Sequence, residues 1–211
     1  MHSSCRVTRR EARPSCLRGP FTGVFGLIWG YNVPNALNVT MQNQRQTEWC
    51  WAAVAICVAQ LMGNPQLWDQ CSLAGAQLGQ PGNFCCMNGG DPNTCNKPAK
   101  LEDSLSRVQH FSTTQNPNPA QGVPDPGAIK QEIDGSRPIG VRIQWDQSGN
   151  QGHYVLVTGY DDSTDDFKVF INDPENPDGA PYTAYSLAAL NQSGYQSSGK
   201  SGSWSFTYYT A

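Results

Sequence analysis

Charge is scarce in this chain. Charged residues make up 15% of its 211 positions and the net charge is -3, below the usual share for a globular domain. Nothing in that balance points to nucleic acid or an anionic membrane as partner. Long apolar runs are also missing, and none approaches the ~20 residues of a spanning helix. Histidine is rarer still: His2, His110 and His153 are the three, so chemistry that needs an imidazole has few candidates. The eight cysteines contain no C-x-x-C pair, and no histidine lies near their densest cluster, which argues against a zinc site. What the chain does have is 21 glycines and 15 prolines among many Ser, Asn and Gln residues. That composition describes a loop-rich globular protein, long enough for one domain with a real core and two lobes.

The order of the patterns suggests an α+β plan. Residues 1–36 are arginine-rich, then apolar, and read as a signal-like leader or pro-segment outside the fold. The fold is expected over residues 37–211. Residues 37–41 alternate and read as a short strand. The run Val54-Ala55-Ile56-Cys57-Val58-Ala59 reads as a buried helix with Thr47 as its N-cap and Gly63 as its stop. Weaker helices are expected over 67–78 and 100–108. Pro and Asp open another after residue 124, and Gly135 ends it. The period then changes, with strands expected near 138–145, 152–160, 167–172 and 204–209. Between them, Cys71, Cys85, Cys86 and Cys95 crowd a Gly/Asn/Pro loop that reads as two disulfides, either 71–85 with 86–95 or 71–86 with 85–95.

The candidate chemistry starts at Cys50, in the first turn of the expected helix. Unpaired backbone N–H groups and the helix dipole there favour a negative sulfur, and the thiolate is the nucleophile. Its base should be a histidine. His2 lies in the leader and His110 follows a surface helix. His153 stands at the mouth of a strand. If the turn after it centres on Ser163, His153 falls opposite Asp173, with Val155 and Ile171, then Val157 and Val169, as the floor behind them. Pleat parity then favours Asp173 over Asn172 as the group that orients the imidazole. Gln44, ahead of Cys50, could supply an amide to a developing oxyanion together with the Cys50 N–H, with Gln42 and Gln46 as rivals. Cys57, among apolar neighbours, reads as a buried structural thiol, and Trp51 as packing between lobes.

Gln44-x5-Cys50-Trp51, Gly152-His153-Tyr154 and Asn172-Asp173-Pro174 together resemble the papain-like cysteine peptidase superfamily. Trp49–Ala53, Cys85-Cys86 with Cys95-Asn96, Gly135-x-Arg137-Pro138 and Gly202-Ser-Trp204 resemble its short bacterial, bacteriocin-processing-peptidase-like group. The resemblance covers residues 37–211. It implies a helical lobe packed on an antiparallel sheet lobe, with the active site in the cleft. It implies an endopeptidase with a Cys50–His153–Asp173 triad and Gln44 in the oxyanion hole. No cofactor or metal is implied. The expected partner is a protein or peptide substrate, not nucleic acid or membrane, and the expected form is a monomer, secreted or periplasmic. The departure from papain's Cys-Gly-Ser-Cys-Trp and the short Cys–His interval leave specificity open. The same triad also serves deamidases, amidases and transpeptidases, and a non-catalytic binding domain is the remaining alternative.

Overall fold

The computed structural model describes residues 35–63, 66–147, 149–176 and 182–211. The elements run β1 (Asn35–Ala36), α1 (Cys50–Met62), α2 (Gln70–Gln77), α3 (Phe84–Met87), α4 (Leu101–Arg107), β2 (Ala120–Gln121), α5 (Pro126–Asp134), β3 (Ile139–Trp145), β4 (Gly152–Asp161), β5 (Lys168–Asn172), β6 (Thr183–Ser186), α6 (Leu187–Leu190), β7 (Tyr195–Ser197) and β8 (Lys200–Tyr209). This is an α+β fold of the papain-like kind, with helices first and an antiparallel sheet after them. The leader expected over 1–36 lies outside the described residues except for its last two, which form β1.

α1 is buried all the way round from Cys50 to Ala59, which only an alanine-rich apolar helix at the centre of a lobe can sustain. It ends at Gly63, whose φ of 127° suits a residue without a Cβ. α2 is held by a capping box in which Asp69 accepts from the Ser72 N–H and Ser72 from the Asp69 N–H. α5 starts as its sequence suggests, with Asp125 as N-cap and Pro126 in the first turn. The central strands run β2-β8-β3-β4-β5-β6, and every pairing is antiparallel. Both faces of the sheet are covered. Leu156 and Tyr208 join the core around α1, while Val155, Val157, Val141, Ile143 and Ile171 join a second core with Ile129 and Ile133 of α5. That alternation is the pleat at work.

Three local expectations need correction. Residues 37–41 are not strand. The Leu37 N–H still reaches Thr158 O, but the Gln42 N–H goes to Cys57 Sγ and the Gln44 N–H to Pro174 O, so no ladder continues. Thr47 does not cap α1. Its hydroxyl accepts from Asn96 Nδ2 and its carbonyl from Gln44 Nε2, so the helix starts three residues later, at Cys50, without a side-chain cap. The β4–β5 register also differs. Leu156 pairs with Asn172 and Val157 with Ile171, whereas Gly159 pairs with Phe170 and Tyr160 with Val169. Thr158 is the extra residue of a bulge, and its hydroxyl donates to Asn172 Oδ1. Gly159 is required beside it, because a Cβ there would lie 2.5 Å from Asn35 O and 2.6 Å from Phe170 Cδ2.

The two expected disulfides pair Cys71 with Cys86 and Cys85 with Cys95. The second staples the loop that α1 leans on: Trp49 Nε1 donates to Cys95 O at 2.8 Å and Trp51 Nε1 to Lys97 O at 3.1 Å. Replacing Cys85 and Cys95 by serine frees a bridge of sequence separation 10, at a cost of about 3 kcal/mol and a fall in Tm of about 6–12 °C. Thermal unfolding followed by circular dichroism checks this. An unchanged Tm would show that packing alone holds the loop.

Candidate active site

Cys50 is the first residue of α1. Asn96 braces the chain just before it, accepting from the Glu48 N–H at 3.0 Å and donating to Thr47 Oγ1 at 3.0 Å. The missing side-chain cap has a chemical consequence. A threonine at the cap three residues earlier would draw on the amides at positions 49 or 50. As built, the Cys50 N–H is one of the helix's unpaired N-terminal donors.

His153 is the second residue of β4 and is 3% exposed. Its Nε2 donates to Asp173 Oδ1 at 2.6 Å, and its ring interacts with the Cys50 side chain, which lines the same groove. With Nε2 turned to the carboxylate, Nδ1 is the nitrogen left for the sulfur. The thiol of the helical lobe and the carboxylate of the sheet lobe therefore meet at one imidazole. His153 does not face Asp173 squarely. Continued one residue past the end of β5, the pairing of Leu156 with Asn172 brings Asp173 level with Val155 and makes His153 its diagonal neighbour on the same face.

The electrostatics favour a charged imidazole. Burial pushes the His153 pKa down, but the bonds to Asp173 and Cys50 outweigh it and hold the value well above its usual 6.5, at about 10. Burial likewise pushes Asp173 up, but His153, Tyr195 and the Glu175 N–H outweigh it and bring it to about 2. Both of its oxygens are occupied. Oδ1 accepts from His153 and, at 2.8 Å, from the Glu175 N–H. Oδ2 accepts from Tyr195 Oη at 2.7 Å and Ser197 Oγ at 2.8 Å. Trp145 stacks on the imidazole with ring centroids 5.9 Å apart and planes 13° from parallel.

Gln44 stands in the loop before α1. Its Nε2 donates one hydrogen to Thr47 O at 2.9 Å, and an amide nitrogen carries a second. Its Oε1 is buried without a partner. Its backbone N–H bonds to Pro174 O, tying this loop to the residue after Asp173. The rival glutamines are engaged elsewhere: Gln42 Oε1 accepts from Gln70, and the Gln46 side chain packs against Gly89 and Gly90. Of the other candidates, Cys57 is a buried residue of α1 itself, and that burial pushes its thiol up to about 11. Trp51 is fully buried and packs in the helical core. The ring nitrogens of His110 face Ala211 O and Gly63 O.

Sequence reasoning missed Tyr195, Ser197, Trp145 and Asn96. The i, i+2 spacing of Tyr195 and Ser197 places them on one face of a strand, but nothing in the sequence directs that face to Asp173. Among the described residues one group could present three ligand atoms to a metal, Asp69, Cys71 and Cys86, and its two sulfurs are joined in a disulfide.

A groove of about 660 Å³ runs past Cys50 and His153, with Thr47 and Asn96 on the helical side and Trp145 and Gly152 on the sheet side. A thiol, an imidazole and a carboxylate in series beside such a groove can carry out acyl transfer through a thioester. No curated protein matches the chain in sequence. Residues 36–203, most of the chain, match the Peptidase_C39 like family; together with a two-lobed α+β fold and a helix-start cysteine beside a strand histidine, this makes the chain a member of that family of papain-like cysteine peptidases.

Proposed function

We propose that the protein is an endopeptidase in which Cys50 is the nucleophile, His153 the acid–base group, Asp173 the group that orients the imidazole, and Gln44 with the Cys50 N–H the oxyanion donors. The Cys50 thiolate attacks the scissile carbonyl carbon, and the oxyanion forms against the amide of Gln44 and the backbone N–H. His153 passes its proton to the leaving amine as the C–N bond breaks. A water then gives a proton to His153 and attacks the thioester, releasing the acid and restoring the thiolate. The observation that carries this reading is a buried imidazole that bonds to a carboxylate and interacts with the thiol at the start of α1 beside the same groove. The groove supports an internal cut, because it takes its walls from both lobes and has room for a short length of extended chain. Two disulfides support work outside a reducing cytoplasm, and no helix among the described residues is long and apolar enough to cross a membrane.

Incubation with a mixture of denatured proteins, read by mass spectrometry for new termini, tests the reading. New internal termini are expected, and they should vanish after alkylation of Cys50. Intact substrates in the presence of protein whose Cys50 still takes the alkylating label would overturn it.

A further inference from the structure

The described residues carry nine Lys and Arg against 15 Asp and Glu, yet the groove beside Cys50 reverses that balance. It is lined by Lys97, Lys100, Arg142 and Lys200, and by only two acids, Glu48 and Glu175. Among the described residues none of these four cations takes part in an ion pair; the lysine and arginine pairs there are Arg45–Asp69, Lys130–Asp162 and Arg137–Glu132. The charges are set on anchored backbone. Lys97 O accepts from the Trp51 indole at the nucleophile's own helix. Lys100 is the N-cap position of α4. Lys200 Nζ lies 5.5 Å from the centroid of Trp145, the ring that stacks on His153. The Arg142 guanidinium is fixed by neutral acceptors only, Gln144 Oε1, Ser205 Oγ and Asn150 O, so its charge is not cancelled.

We propose that this groove selects peptide segments with acidic side chains flanking the scissile bond. The inference rests on the peptidase reading above and adds the substrate class to it. A cleft of one sign on a protein of the other sign concentrates oppositely charged substrate and speeds its encounter. Exposed pairs are individually weak, so the selectivity should come from the group of cations and should fade as salt screens them.

The test uses peptides matched around a site that the protein cleaves, with the flanking residues made Glu, Gln or Lys in turn. At low ionic strength kcat/KM should fall from Glu to Gln to Lys, by about 10-fold or more from first to last, and the spread should shrink at about 0.5 M salt. The triple variant Lys97→Glu/Lys100→Glu/Lys200→Glu should invert the order. Alkylation of Cys50 in that variant confirms that its site is intact. Cleavage that depends on Cys50 but ignores flanking charge, or favours Lys, would overturn this proposal and leave the peptidase reading standing. Failure to cleave any peptide would overturn both.

Discussion

Cys50→Ala should lose peptide hydrolysis by about 10⁴-fold or more in kcat/KM, because without the sulfur no acyl-enzyme can form and the remaining groups can only bind and polarise the substrate. Cys50→Ser should fare little better, since the imidazole would have to deprotonate a far weaker acid. The fold should survive. Ala fits a helix start, and the ten-residue buried face of α1 is otherwise untouched, so a change of only about 2–4 °C in Tm is expected. His153 should keep its bond to Asp173. Steady-state cleavage of one peptide, with melting curves for each variant, checks both statements. Turnover by a folded Cys50→Ala protein at the wild-type rate would remove the nucleophile from this scheme.

The second large effect is expected at Asp173. Asp173→Ala should lower kcat/KM by about 10²–10³-fold, a loss of roughly 3–4 kcal/mol of transition-state stabilisation. Asp173→Asn separates charge from shape. It can keep a hydrogen bond to His153, but it removes the negative charge that helps hold the imidazole's proton. The His153 value of about 10 rests on Asp173 and Cys50 working against burial. With the carboxylate gone burial gains ground, the imidazolium deprotonates at lower pH, and the alkaline limb of the kcat/KM profile should move towards neutrality. Stability follows the same signs. The raised His153 pKa contributes stability that is complete below about 6.5 and is lost as pH rises through about 10. The depressed Asp173 pKa contributes stability that is complete above 3.8 and is lost as pH falls through about 2. The destabilisation caused by Asp173→Asn should therefore be largest between about pH 4 and 6.5 and smaller at pH 10. Asp173→Ala adds a further cost at every pH, because Tyr195 Oη and Ser197 Oγ lose their acceptor. An alkaline limb that stays in place in the Asn variant would mean that Asp173 does not set the protonation of His153.

Much of this protein can be read along the chain. The alanine-rich run after Cys50 could only be a buried helix. Asp125-Pro126 and Gly135 mark the ends of α5 by their backbone chemistry, and alternation marks β3, β4 and β5. These are local properties, because a period of 3.6 or 2 and a cap or stop residue act within a few positions. The pairing of Cys50 with His153 was also within reach, since the chain offers few imidazoles and only one stands at a strand mouth.

Other features depended on distant parts of the chain. The disulfide pairing followed from where α2 and α3 pack. Thr47 would cap a helix in isolation, but Asn96, far along the chain, donates to its hydroxyl, and α1 starts at Cys50 without a side-chain cap. Tyr195 and Ser197 reach Asp173 only because β7 returns along β8. The choice between Asn172 and Asp173 turned on one residue. Had the pairing of Gly159 with Phe170 continued without a break, Asn172 would have shared the face of His153. The bulge at Thr158 shifts the count by one and brings Asp173 there instead. A sequence displays the alternation within each strand, but a bulge depends on how neighbouring strands pair, and the tight seat of Gly159 between β1 and Phe170 exists only once the sheet has formed.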